Sequence, residues 1–306
     1  MKTLLPASIL ALISGLSFAN TPVSTTASSN AASATPATVT TSNKTASAPS
    51  AAATAPTKTP STTTPAAKPT ITKDQQTVQT LLGLKNYTGA YAQLETMAKN
   101  GDAEAYFHLA SMTEKGIGTK KDEAKAIELY KSSSRLRFAP AQHALGMIYG
   151  KGLNGAKQNL RLAKQYFDLA SAKGLEQAQL DYGIILLQQE DVTQQKEGLT
   201  ILAPYIAQGN LEARYTKALY DIAFGVKEKN EERVKSALTD MKALAEGGYA
   251  PALIDMGKML MLGQFFPQNL TEAKKIFTKL NEAKVPQAGP LLQQVNQMLA
   301  NPPKKK

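Results

Sequence analysis

The residues best suited to chemistry in this chain are its two histidines, His108 and His143, which stand in neighbouring segments of similar sequence. Imidazole titrates nearest neutral pH and is the commonest metal ligand. A zinc site needs three or four Cys, His or carboxylate ligands at fixed spacing. The 306 residues include no cysteine and no H-E-x-x-H. Nor is there a serine-centred elbow or a close carboxylate pair bracketed by glycines, arrangements that give a nucleophile its base. Gly116-Ile117-Gly118 and Gly150-Lys151-Gly152 are like phosphate loops in composition only. Neither follows a strand-like run, and no G-x-x-x-x-G-K-[ST] occurs. The sequence implies no catalytic residue, no metal ligand set and no cofactor, so the expectation is a protein that is not an enzyme.

The glycines fit better as punctuation in a repeat. Ala105, Ala141, Ala178, Ala213, Ala252 and Ala288 recur at intervals of 36, 37, 35, 39 and 36 residues. Five residues after the first five of these stands a small residue: Ala110, Gly146, Gly183, Ala218 and Gly257. Spacings of this kind fall on one helix face, where a small side chain lets a second helix approach closely. About 21 residues after each anchor comes a pair four apart, small then large: Ala126/Tyr130, Ala163/Phe167, Gly198/Leu202, Ala237/Met241 and Ala273/Phe277. These mark the inner stripe of a second helix, with Asp122, Asn159 and Asn269 placed to cap it. Glycines before the anchors (101, 174, 209, 248) and eleven after them (116, 152, 263) suit chain reversals needing positive φ. Each unit thus reads as helix, loop, antiparallel helix, turn. One unit cannot bury its apolar face alone, whereas stacked units can.

The 36-residue period with these alanines, Leu145-Gly146, the Gly-x-Gly loops and Asp122-x-x-x-Ala126 resembles the Sel-one-like repeats, relatives of tetratricopeptide repeats. The clearest match runs from Ala139 to Gly174, and residues 101–138 fit nearly as well. Gln189 and Phe224 stand where the loop glycine belongs, and Lys217 and Asp221 replace apolar residues, so the fourth unit's register stays open. Asp74 to Lys85 and Tyr87 to Asn100 read as a shortened first pair, and Pro290 to Ala300 as a capping helix. The resemblance implies an all-α, right-handed α-α solenoid of about five to six helix hairpins with a C-terminal capping helix. It also implies a protein-binding role. Some disulfide-stapled relatives bind or slowly hydrolyse β-lactams, but this chain lacks their cysteines.

Outside the repeats the composition changes. Lys2 precedes the apolar run Leu4 to Leu16, and Ser17-Phe18-Ala19 follows. That is the layout of a secretory signal peptide cleaved after Ala19. The run is shorter than the roughly 20 apolar residues of a membrane span, although an uncleaved anchor is the alternative. Asn20 to Thr70 is almost entirely Ala, Thr, Ser and Pro, too poor in apolar surface to offset the entropy of ordering. The expected organisation is a signal peptide (1–19), a disordered linker (20–72), a solenoid (73–301) and a basic tail (302–306). The formal charge of +11 belongs mostly to the tails, since residues 74–301 carry 27 basic against 24 acidic residues. A nucleic-acid binder should carry its basic stripe on the fold, so nucleic acid is not an expected partner.

The second face of the first helices, at +2, +6 and +9 from each anchor, remains. Its apolar character is either inter-helix core or a partly apolar groove for a peptide or helix. The candidate partner-binding residues are Phe107, His108, His143, Met147, Leu180 and Tyr215. The second helices, with Lys131 and Lys164, are expected on the convex side. The expected function is a periplasmic adaptor, regulator or inhibitor that binds a protein or peptide of the cell envelope. No disulfide and no further membrane segment is expected, and a structural envelope tether is the alternative role.

Overall fold

The structure, a computed structural model, describes residues 72–301. The signal peptide, nearly all of the linker and the tail expected above lie outside these residues. Among the described residues there are thirteen helices and no strand. They form six hairpins, each pairing a first helix with an antiparallel second: α1 (Lys73–Gly83) with α2 (Tyr87–Lys99), α3 (Ala103–Lys115) with α4 (Glu123–Arg135), and α5 (Ala139–Lys151) with α6 (Leu160–Ser171). The series continues with α7 (Gln177–Leu187) and α8 (Val192–Ala207), α9 (Leu211–Glu228) and α10 (Glu231–Glu246), and α11 (Ala250–Leu262) and α12 (Leu270–Glu282). Helix α13 (Ala288–Ala300) packs on α12 and closes the stack. No described helix is long and apolar enough to cross a membrane.

The hairpins close through the small and large residues of the repeat. A Cβ built on Gly146 would lie 2.8 Å from the Phe167 ring, and one on Gly257 would lie 2.6 Å from the Phe277 ring. The large side chain of the second helix therefore seats on the bare backbone of the first. Phe167, Phe277, Leu202 and Met241 are each 0% exposed. Burying such side chains contributes about 1.5–3 kcal/mol each, and this seat recurs along the stack.

The helix ends follow the same economy. Asp122, Asn159 and Asn269 accept hydrogen bonds from the amides of Lys125, Leu162 and Glu272, which satisfies one otherwise unpaired donor per helix. The backbone N–H of each of these residues also donates back to the preceding helix, to Thr113, Tyr149 and Leu260. Gly116, Gly152 and Gly263 end their helices in the left-handed region, at φ 69°, 67° and 69°, where a Cβ is disfavoured.

Packing between hairpins is uneven. First helices α5, α7 and α9 pack directly on one another, whereas their second helices do not pack to the same extent. Over this stretch the first helices form the inner side of the stack.

Candidate functional site

Successive units are joined by side-chain hydrogen bonds about one repeat apart, in a row that runs through the inner side of α5, α7 and α9. Gln75 Nε2 donates to Glu104 Oε2 at 3.2 Å, and Asn154 Nδ2, just beyond α5, donates to Glu114 Oε1 at 2.7 Å. His143 Nε2 lies 2.6 Å from Asp181 Oδ2, and Gln177 Nε2 donates to Glu212 Oε2 at 3.3 Å. The Tyr215 hydroxyl donates to Asp255 Oδ2 at 2.5 Å, and Lys258 Nζ approaches the other oxygen of that carboxylate at 3.3 Å. Counted from the repeat alanines, His143 and Tyr215 both stand at +2, and their acceptors Asp181 and Asp255 both stand at +3 of the next unit. In the intervening pair those positions hold Leu180 and Thr216, and the buried Thr216 hydroxyl has no hydrogen-bond partner.

Burial shapes the electrostatics of this row. The Tyr215 phenol is pushed far above its ordinary range, first by burial and then by the Asp255 charge. Burial and the nearby Glu212 raise Tyr249 to about 12. Glu212 is itself raised by burial and by Asp181. Lys151 is lowered by burial, against the pull of Asp181 and Glu212. The centre of the inner side is thus a half-dry row in which acids and bases offset one another.

The six residues singled out from the sequence are distributed unevenly along it. Phe107 is half-buried, with ring contacts to His108, Tyr130 and Phe138 at 5.5, 5.7 and 5.5 Å. His108 has a 45% exposed side chain and reaches Glu104 at 3.5 Å. His143 is mostly covered, its side chain 17% exposed, and Met147 is half-buried against the α6–α7 core. Leu180 and Tyr215 lie in the core at 1% and 6% exposure, because the directly packed helices α5, α7 and α9 cover that face. The two histidines bond to different carboxylates and so form no shared site. Among the described residues, no group of three or more His, Cys, Asp or Glu could hold a metal ion.

Three hairpins carry the deciding signature: the family model described as Sel1 repeat matches residues 103–137, 139–175 and 250–283. The chain carries Sel1 repeats. It is 29% identical over 106 residues to "Chitin synthase regulatory factor 3" of Schizosaccharomyces pombe, covering 34% of this chain. It is 34% identical over 85 residues to "Protein sel-1 homolog 2" of Homo sapiens, covering 28% of this chain. The matches span 11% and 12% of those proteins, so the chain corresponds to only a small part of each. A solved Sel1 repeat protein from Oxalobacter formigenes shares the fold, with 17% identity and a TM-score of 0.51 over 74% of this chain and 98% of that one. Sel1-repeat proteins generally mediate protein–protein interaction and are mostly scaffolds or adaptors.

Proposed function

We propose that this Sel1-repeat protein is an exported adaptor, regulator or inhibitor in the periplasm, and that it takes a protein partner on the inner side of its first helices. The observation that carries the reading is the repeat-spaced row from Glu104 to Asp255. It fixes the spacing of the hairpins and leaves Phe107, His108 and Met147 partly accessible beside it. Aromatic and apolar side chains held rigidly next to satisfied polar groups are what a protein partner uses as anchors. The N-terminal apolar run and Ser17-Phe18-Ala19 support export with cleavage after Ala19.

Two measurements test this. N-terminal sequencing of the protein from the periplasmic fraction should give Asn20 as the first residue. Met1 retained on membrane-bound protein overturns the export reading. A photo-crosslinking residue placed at His108 or Met147 should capture one partner in intact cells, and the same residue at Lys131 or Lys164 should not. Capture only from the second helices overturns the inner-side reading.

A further inference from the structure

The α9–α10 hairpin is the longest in the stack, with 18 and 16 residues against 13 and 13 in α11 and α12. Where it turns at Lys229 and Asn230, a cleft of about 510 Å³ opens between α10 and the loop joining α11 to α12. Its apolar lining comes from Val226, Val234 and Leu238 on one side and Phe265 and Phe266 on the other, all only half-buried. Phe265 holds its place with φ at 61°, a conformation unfavourable for a bulky side chain that marks a site where the surroundings over-determine the backbone. Lys229, Lys235 and Lys242 also line the cleft, against a single acid, Glu231. Lys242 has an exposed partner, Glu246, at 3.7 Å, an ion pair of a kind easily exchanged.

The placement of these charges narrows the occupant. Lys235 and Lys242 are seven residues apart on α10, about 10 Å along the axis. Leu238 and Thr239 lie between them on the same face. A small ligand with one anionic group cannot serve both lysines while filling the apolar centre. An extended peptide can, because its side chains at i, i+2 and i+4 share a face and span about 13 Å, which lysine side chains can accommodate. We propose that this cleft docks a peptide segment of a protein partner in which a large apolar side chain stands between two carboxylates. The site is built from the last turn of α9, from α10 and from the loop after α11, and shares no residue with the inner row, so it is independent of the inner-side reading.

The test uses the full chain and a fluorescein-labelled peptide, Ser-Glu-Ser-Phe-Ser-Glu-Ser, titrated by fluorescence anisotropy. Saturable binding is expected, weakening at least tenfold in the Lys235→Glu/Lys242→Glu double variant and at least fivefold when the peptide's Phe is replaced by Ser. Both lysines are exposed, so the variant should keep its helical circular dichroism. Leu238→Glu provides a second variant with the same expected loss. Equal binding of a peptide with Lys in place of Glu overturns the proposal, as does absence of binding or unchanged affinity in the variants. Self-association of the chain that the double variant abolishes would make the occupant a second copy and overturn it. Binding to phosphatidylglycerol vesicles that the double variant abolishes would make the occupant a lipid surface, which overturns it equally.

Discussion

The hairpins α5–α6 and α11–α12 follow the repeat closely, whereas α7–α8 and α9–α10 depart from it, and the two groups close by different means. In the regular pair, Phe167 and Phe277 press their rings on Gly146 and Gly257 at distances that leave no room for a Cβ. In α7–α8 the seat is slightly looser: a Cβ on Gly183 would lie 3.0 Å from Leu202 and 3.1 Å from Ile201. The regular loops turn on Gly152 and Gly263. The departed ones turn on side chains instead. Gln189 Nε2 donates to the Ile185 carbonyl at 2.7 Å, and Gln195 Nε2 donates to the Gln189 carbonyl at 2.6 Å. After α9 the turn falls on Lys229 at φ 58°, and Arg233 ties the hairpin by bonding Asp221 at 2.7 Å and lying 4.6 Å over the Phe224 ring. Lys217 bonds the same carboxylate. One backbone architecture thus tolerates two chemistries at the same place, a glycine turn or a side-chain clamp. The Sel1 signature follows the first and passes over the second.

The largest effect should come from emptying a ring seat. Phe277→Ala is expected to cost about 3–5 kcal/mol in urea unfolding, and Leu202→Ala, in the looser seat, closer to 2 kcal/mol. Equal losses would mean that the two seats are equally tight. Filling the seat comes next. Gly257→Ala brings a Cβ within 2.6 Å of Phe277, so overpacking of about 1–3 kcal/mol should exceed the roughly 1 kcal/mol that alanine gains in a helix. Gly183→Ala, whose nearest contacts lie at 3.0 Å and not 2.6 Å, should cost less, because the milder overpacking is closer to what alanine gains in a helix. If both variants are stabilised, the helices separate more freely than the contact distances imply.

A smaller effect of opposite sign belongs to the turn after α9. Lysine in the left-handed region carries a penalty of about 1–2 kcal/mol that glycine escapes, and glycine's greater freedom when unfolded returns part of it. Lys229→Gly should therefore raise stability by up to about 1 kcal/mol, whereas Gly263→Lys in the regular turn should lower it. A loss in both variants would show that the Lys229 side chain contributes more than its backbone costs.

These contrasts also explain what the sequence could disclose. The repeat alanines, the small residues at +5 and the capping Asp and Asn residues reveal hairpins because each acts within one unit, over spacings the helix itself sets. The inner side depends on how closely neighbouring units approach, which no spacing encodes. Phe107, His143, Leu180 and Tyr215 share the +2 position, yet Leu180 and Tyr215 are buried and Phe107 is half-open. The direct packing of α5, α7 and α9 makes the difference. Asp181 and Asp255 were legible in principle: a hydrogen-bonding residue at +2 with an acid at +3 of the next unit occurs as His143/Asp181 and again as Tyr215/Asp255. That signal runs between units, so a search for similarity within units overlooks it. The α9–α10 cleft has no sequence signature beyond the missing loop glycine at Phe224, because it arises from a difference in helix length.

The smallest predicted effect probes the inner row itself, at the boundary of the two regions. Glu212 opens α9 and accepts from Gln177, while burial and the charge of Asp181 raise its carboxyl above the ordinary 4.5. A raised carboxyl holds its proton more firmly in the folded state. Its favourable contribution is complete below the unfolded pKa and is lost as pH rises through the folded value. At neutral pH the ionised group is therefore a mild burden, which Glu212→Gln should relieve while keeping an oxygen for Gln177. The variant should be more stable at pH 7 by about 0.5 kcal/mol, the scale of single changes away from the core, and the difference should shrink to nothing below about pH 4, where glutamate is itself protonated. Exposed Asp191, which caps α8, has the opposite sign, since the amides of Gln194 and Thr193 hold its carboxyl below the ordinary value. Its contribution is present above the unfolded pKa and is lost as pH falls through the folded one. Urea titrations of both sites at pH 7 and pH 4 would separate the two behaviours. If Glu212→Gln is the less stable protein at pH 7, attraction to Lys151 outweighs burial, and the inner row is held together by charge instead of strained by it.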